Sequence, residues 1–229
     1  MIASPSRRPL AALAVLAVAV VVGGCTTGGA SAAPSVAAAT PAPATDAAGG
    51  PCPTSQPDAL PAGEIRVVTI ETEMGSIAIT VEADLSPVAV GNFVTLAECG
   101  YYDGVVFHRV VPGFVIQGGD GQHGRKAAFD RSLIGTGGPG YRIEDEPVTA
   151  MYGRATVAMA RSTAPNSVGS QFFIVLDDAA RGSLASANTY QIIGTVTDGM
   201  DAADAIAAAA DAEIPTNPIE MTDVSVARP

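Results

Sequence analysis

Two stretches of this 229-residue chain concentrate side chains able to act on a ligand. One is FHRVVPGFVIQGGD, Phe107 to Asp120; the other is GSQFFI, Gly169 to Ile174. Each mixes a few polar groups with large apolar ones. Arg109 carries a permanent charge and a planar set of N–H donors, and it cannot release a proton at accessible pH. Any chemistry it performs is therefore electrostatic. An arginine beside a strand is ordinarily a surface or salt-bridge residue, and phenylalanines in strands are ordinarily core, so the case rests on the whole strings. Other chemistries lack their residues: the chain has no G-x-S-x-G, H-E-x-x-H, Walker A or C-x-x-C pattern. Gly119 to Gly124 formally satisfies G-x-G-x-x-G, but no βαβ unit follows, and a chance match in a glycine-rich loop is the simpler reading. His108 reads as structural and His123 as a loop residue; two isolated histidines make no metal site, and no metal or cofactor is expected.

The elements that must position these residues are legible from about Gly63. Ile65–Glu71 and Ser76–Glu82 are rich in β-branched residues, with Ile77, Ile79 and Val81 alternating as a half-buried strand requires. Met74-Gly75 between them predicts a hairpin. Ser86-Pro87 supplies a cap and a first-turn proline, Val90, Phe93, Val94 and Ala97 follow at helical spacing, and Gly100 stops the helix. Further strands are predicted at Val105–Arg109, Phe114–Gln117, Ala155–Ala160, Phe172–Leu176, Tyr190–Thr197 and Glu220–Val226, with a second helix over Met200–Ala210. Many short strands with two helices over about 165 residues predict a mainly β domain, a closed antiparallel barrel with helices packed outside.

The two strings, in this order and with their neighbours, closely resemble the cyclophilin family. Supporting matches are Asn92-Phe93, Gly100-Tyr101-Tyr102-Asp103-Gly104, Gly135-Thr136-Gly137-Gly138 and Val157-Ala158-Met159-Ala160-Arg161, and the likeness runs from about Glu64 to the C-terminus. The resemblance implies a closed eight-stranded antiparallel barrel capped by two α-helices, with a groove for proline-containing peptides. By motif position it makes Arg109 the catalytic arginine, assisted by Gln117. Phe114, Val115 and Phe173 become the wall of the proline pocket, and Gln117 and Gln171 the polar contacts of the groove. Ala160 and Arg161 line the run of the substrate backbone. Leu184 and Tyr190 complete the pocket, across a loop that looks lengthened. Phe107 and Phe172 remain core. Arg161 stands where eukaryotic members commonly carry asparagine, and the chain has no tryptophan, which implies weak cyclosporin binding.

The chemistry explains the residue types. Amide resonance makes rotation about X–Pro slow, with a barrier of about 18–20 kcal/mol. In the twisted state the proline nitrogen becomes pyramidal and gains a lone pair. A donor aimed there binds the twisted state better than either planar isomer, which is the requirement for catalysis. The implied activity is peptidyl-prolyl cis-trans isomerisation. A non-catalytic proline-peptide binding module or holdase would use the same groove; Arg109, Phe114, Gln117 and Phe173 together favour the enzyme.

The remaining sequence speaks to location. Arg7-Arg8 precedes an unbroken apolar run of 13 residues, Leu10 to Val22. That is short for a membrane-crossing helix, which needs about 20 residues, and suits a signal peptide over residues 1–24. The run ends in Val22-Gly23-Gly24-Cys25, which resembles the lipobox of bacterial lipoproteins, so Cys25 is expected to carry lipid (palmitate among its acyl chains) and to anchor the protein outside the cytoplasm. In residues 26–62, 31 of 37 are Ala, Pro, Thr, Gly or Ser and none is Lys or Arg. Such a stretch cannot bury enough apolar surface to offset its ordering entropy, which predicts a disordered tether over 25–62 and a folded domain over 63–229. With Cys25 lipidated, Cys52 and Cys99 are left as a possible disulfide in an oxidising compartment. The net charge of −11 argues against nucleic acid as a partner. Proline-containing polypeptides are the expected partners, the membrane is reached through the lipid, and the protein is expected to be a monomer.

Overall fold

The computed structural model describes residues 50–229. The signal peptide expected at 1–24, the lipid expected on Cys25 and most of the expected tether lie outside the described residues.

β1 (Ile65–Thr72) and β2 (Gly75–Glu82) pair antiparallel from Ile65↔Glu82 to Thr72↔Gly75, so Glu73-Met74 is a two-residue turn. Gly75 opens β2 at φ +120°, a conformation that favours glycine. Val68 and Ile70 of β1 and Ile77, Ile79 and Val81 of β2 are buried on one face, as their alternation predicts. Helix α1 (Pro87–Glu98) begins with proline in its first turn, but Ser86 does not cap it. The free N–H groups of Val88 and Ala89 instead donate to the two carboxylate oxygens of Glu146, each at 2.9 Å. A carboxylate there meets orphan donors and the positive end of the helix dipole at once.

The other strands are β3 (Phe107–Val111), β4 (Val115–Gly118), β5 (Thr156–Met159), β6 (Phe172–Val175), β7 (Ile192–Asp198) and β8 (Asp223–Ala227). All eight join one antiparallel sheet in the order β3-β4-β6-β5-β7-β2-β1-β8. Two expectations are corrected here. The sheet is a curled half-barrel rather than a closed barrel, because its end strands β3 and β8 share no ladder. The seam is stitched by the segments leading into them and by the first residue of β3: Gly104 N–H to Met221 O at 2.8 Å, Met221 N–H to Val105 O at 2.9 Å, and Phe107 N–H to Ile219 O at 2.9 Å. There are also three α-helices rather than two. Besides α1 and α3 (Met200–Ala209), a short α2 (Arg181–Ala187) lies where the sequence reads as loop, and Leu184 is its one buried residue, too little to show a period.

Two apolar cores result. The larger fills the half-barrel with Phe107, Ile116, Met159, Phe172, Ile174 and the β1–β2 residues, and packs against α1 and α3. The smaller gathers Val115, Tyr152, Phe173, Val175, Leu184 and Ile192 outside it.

Residues 51–62 have no regular secondary structure, in keeping with their composition, yet they are laid against α1. Leu60 N–H donates to Pro87 O at 2.9 Å, and Gln56 Oε1 accepts from Glu144 N–H at 3.0 Å. Gly91 of α1 permits the approach, since a Cβ there would stand 2.4 Å from Asp58 O. Cys52 is joined to Cys99 by a disulfide, with Cα atoms 5.1 Å apart. The compact part therefore begins near Cys52 rather than at residue 63. Closing a loop of this length restricts the unfolded chain, so reducing the bond, or Cys99→Ser, should lower unfolding stability by about 2–4 kcal/mol. Denaturant titration with and without reductant measures this; equal midpoints, or two free thiols by mass labelling in the oxidised protein, would contradict it.

Candidate active site

Arg109 reaches the outer face of the sheet through an irregularity in β3. The β3–β4 register runs Phe107↔Gly118, then Arg109↔Gln117 and Val110↔Ile116, so one extra residue, His108, is inserted opposite β4. Such a bulge reverses the alternation of side chains. Phe107 and Val110 both belong to the half-barrel core, while Arg109 between them lines the groove with its cross-strand partner Gln117. Without the insertion, Phe107 and Arg109 would share a face. The ladder continues to Gln117↔Phe173 across β4–β6 and Phe173↔Ala158 across β6–β5, which sets the remaining outer residues beside the arginine.

The apolar wall rests on the smaller core. Phe173 is almost fully buried and meets the Tyr190 ring edge-on, with centroids 5.4 Å apart. Tyr190 is held in turn by Tyr152, whose hydroxyl donates to Tyr190 O at 2.9 Å and accepts from Tyr190 N–H at 3.2 Å. Helix α2 delivers Leu184, and Asn188 ends it in a left-handed turn, which returns the chain to Tyr190. Arg109, Phe114, Val115, Gln117, Ala160, Arg161, Phe173, Leu184 and Tyr190, all singled out in the sequence, surround one pocket of about 120 Å³.

Gln171 stands beside this pocket, in an adjoining polar hollow of about 360 Å³ that shares Gln117, Ala160 and Arg161 with it. Its side chain is fully engaged on one side: Nε2 donates to Gly135 O at 2.9 Å and Gly137 O at 2.8 Å, and Oε1 accepts from Gln117 Nε2 at 3.0 Å. The glycine loop is fixed from below by Asp120, a fully buried residue that the sequence reading passed over. Asp120 Oδ2 accepts from Gly135 N–H at 2.8 Å and Gly137 N–H at 3.1 Å, and Oδ1 from His123 N–H at 2.9 Å and Gln122 N–H at 3.2 Å. Gly137 has to be glycine, since a Cβ would lie 2.2 Å from Asp120 Oδ1. Asn92 of α1, also fully buried, donates to Gly169 O at 2.8 Å and so ties the start of the GSQFFI string to the helix.

Two groups behave differently from their sequence reading. Arg161 lines the groove, but its guanidinium is turned to local structure, pairing with Asp145 at 3.1 Å and donating to Ser162 O and Ala164 O at 3.1 and 2.8 Å. Arg109 is bonded to a residue outside both strings. Its Nε donates to Glu213 Oε1 at 2.7 Å, a contact spanning 104 positions that no sequence spacing suggests. Among the described residues no group of three His, Cys, Asp or Glu side chains is placed to hold a metal.

Comparison with known proteins fits this geometry. Residues 67–226 match the family described as cyclophilin type peptidyl-prolyl cis-trans isomerase/CLD. The chain belongs to that family. It is 40% identical over 154 residues to a probable peptidyl-prolyl cis-trans isomerase of Brucella abortus, covering 65% of this chain and 74% of the relative. It is 35% identical over 140 residues to peptidyl-prolyl cis-trans isomerase A of Dickeya dadantii, covering 61% and 70% respectively. Among solved structures it resembles a cyclophilin type peptidyl-prolyl cis-trans isomerase of Cryptosporidium parvum, with a TM-score of 0.60, 27% identity, and coverage of 72% of this chain and 99% of that one. This cyclophilin-type chain is thus a peptidyl-prolyl cis-trans isomerase, and the pocket around Arg109 is its candidate active site.

The bulge leaves a titration signature in this cyclophilin-type domain. His108 is buried, neither ring nitrogen has a hydrogen-bond partner among the described residues, and burial pulls its pKa down to about 4, partly opposed by Asp120. An unfolded histidine titrates near 6.5, so between these values the unfolded chain binds a proton that the folded chain does not. This contribution to stability is complete above about pH 6.5 and is lost as pH falls toward 4, roughly 2 kcal/mol of it by pH 5. His108→Gln should flatten the dependence. Denaturant midpoints for both proteins at pH 7.5 and 5 decide the matter, and equal pH slopes would dismiss the role given to His108.

Proposed function

We propose that the pocket holds the proline ring of an X–Pro segment while Arg109 donates to the proline nitrogen as the amide twists. The observation that carries this reading is the convergence of one always-charged donor and one amide, Arg109 and Gln117, on a wall made of Phe114, Val115, Phe173 and Leu184. The Cryptosporidium relative has also been solved in the presence of the dipeptide Ala-Pro, at 28% identity and a TM-score of 0.59, which supports the same ligand class here. Planar cis and trans amides leave the proline nitrogen with little basicity. The twisted state exposes a lone pair, and a preorganised guanidinium stabilises it selectively without transferring a proton. A proline ring seated against the apolar wall would displace water from the groove side of the arginine and so raise the worth of that contact. The peptide on the other side of the proline bond then runs past Ala160 and Arg161 into the polar hollow. No nucleophile or cofactor enters this mechanism.

Loss of one preorganised donor in a water-poor site costs about 10²–10³ in rate, so Arg109→Ala should lose turnover by that order and lose little affinity for peptide. Arg109→Lys should also be poor, because a point ammonium cannot reproduce the planar fork. Phe114→Ala should weaken peptide binding together with rate. The full chain and its variants, shown to be folded by circular dichroism, are compared in a protease-free Ala-Pro isomerisation assay with affinity measured alongside. Wild-type turnover in folded Arg109→Ala would end the mechanism. Peptide binding with no isomerisation in the unmodified protein would favour the binding-module reading.

The same proposal places this activity outside the cytoplasm, on exported polypeptides, with the chain held at the membrane by lipid on Cys25. Its support is the apolar run that ends in Val-Gly-Gly-Cys, the Ala/Pro-rich stretch that follows, and the Cys52–Cys99 disulfide, which persists in oxidising compartments. Cys25→Ser should move the protein from the membrane to the soluble fraction and abolish labelling with radioactive palmitate. Full membrane retention of that variant would rule the anchor out.

A further inference from the structure

The arginine at the centre of the site is held by a residue far away in the chain. Glu213 lies between α3 and β8, and its carboxylate accepts from Arg109 Nε at 2.7 Å. Its backbone is fixed in the same place independently, since Val110 N–H donates to Glu213 O at 2.8 Å. The loop around it is pinned as well. Arg131 donates from Nη1 to Ile214 O at 2.9 Å and from Nη2 to Pro215 O at 2.7 Å, and Thr216 N–H donates to Asp211 Oδ1 at 2.8 Å. A carboxylate delivered by so constrained a loop is a fixed point against which the guanidinium is set.

The point of attachment matters. A guanidinium has five N–H donors, one on Nε and four on its terminal nitrogens. Holding the Nε edge fixes the plane of the group and leaves the four terminal donors for the groove. The side chains of Arg109 and Glu213 are 35% and 61% exposed, so the pair is solvent-screened and adds little to stability. Its consequence is orientation. We propose that Glu213 is a positioning residue for the isomerase reaction, aligning Arg109 with the twisting amide without touching substrate. This rests on Arg109 being the donor to the proline nitrogen.

The test uses full-length Glu213→Ala, Glu213→Gln and Arg109→Ala, with kcat, KM, thermal unfolding and the ¹⁵N resonance of the Arg109 Nε–H group. A screened ion pair is worth at most a few-fold, so Glu213→Ala should lower kcat about three- to fivefold with KM and unfolding temperature unchanged. The Nε–H resonance should be slowed in solvent exchange in the unmodified protein by its bond to Glu213, and should broaden or vanish in Glu213→Ala. Glu213→Gln keeps an acceptor oxygen and should recover most of both signals. Unchanged kcat in folded Glu213→Ala overturns the inference, and so does a rise, which would make the carboxylate a competitor for the arginine. A fall in kcat with the Nε–H still protected also overturns it, because the loss would then come from the loop. Wild-type turnover in Arg109→Ala removes the underlying reading of the arginine, an outcome distinct from the other three.

Discussion

Phe107 and Arg109 are two positions apart in one strand, yet the first is wholly buried in the half-barrel and the second lines the groove. A regular strand cannot do this, because side chains alternate with a period of two. The inserted His108 makes it possible and carries the consequences. It has to be accommodated out of water, where burial favours the neutral ring and lowers its pKa, with Asp120 partly opposing this. It also fixes which face each later residue of β3 takes. Removing the insertion would turn a permanently charged side chain into an apolar core, at a desolvation cost that no partner there would offset. The site and the fold therefore share one local defect.

The pocket is built on an apolar core of its own. Tyr152, Val175, Leu184 and Ile192 lie outside the half-barrel and support Phe173 and Tyr190 from behind. Aromatic rings set edge to face hold their geometry better than loose aliphatic contacts do. Short α2 makes sense in this setting. With one buried side chain it could not stand as an independent helix, and its stability comes from docking Leu184 into the wall.

How much of this was legible in the sequence follows from the range of each interaction. Alternation in Ile77–Val81 and the helical spacing of Val90, Phe93, Val94 and Ala97 are local signals, and they place β2 and α1 within a residue or two. The pocket residues were found through ordered strings, whose resemblance to a family carries positions that periodicity alone would assign to core or surface. What stayed hidden is non-local or aperiodic. The cap on α1 comes from Glu146, 58 positions beyond Val88, so Ser86 looked like the obvious cap and was not. Residues 51–62 have the composition of a free tether, and the bond from Cys52 to Cys99, the contacts with α1 and the hydrogen bond between Gln56 and Glu144 hold them. A closed barrel was inferred from eight strands. Strand count alone does not say whether the two end strands meet along a ladder, and here Gly104–Phe107 and Ile219–Met221 bridge them instead. The bulge at His108 leaves no composition signature, since Phe-His-Arg reads as ordinary strand.

Catalysis by one fixed donor needs the polar surroundings of the substrate to be fixed too, or substrate binding would be spent on ordering them. Here the groove's amides are already bonded before any peptide arrives. Gln117 donates to Gln171, Gln171 donates to two carbonyls of the glycine loop, and that loop hangs from the carboxylate of Asp120 through two N–H groups. Gln117, Gln171 and Asp120 are each bonded in this relay, so none gains by swinging into the groove. Asp120 and Gln171 thus do for the polar wall what Tyr152 and Leu184 do for the apolar one. With both walls set, a peptide seated as proposed would meet a groove that needs no further ordering, and a donor aligned with the proline nitrogen would act on the rotation of the amide itself.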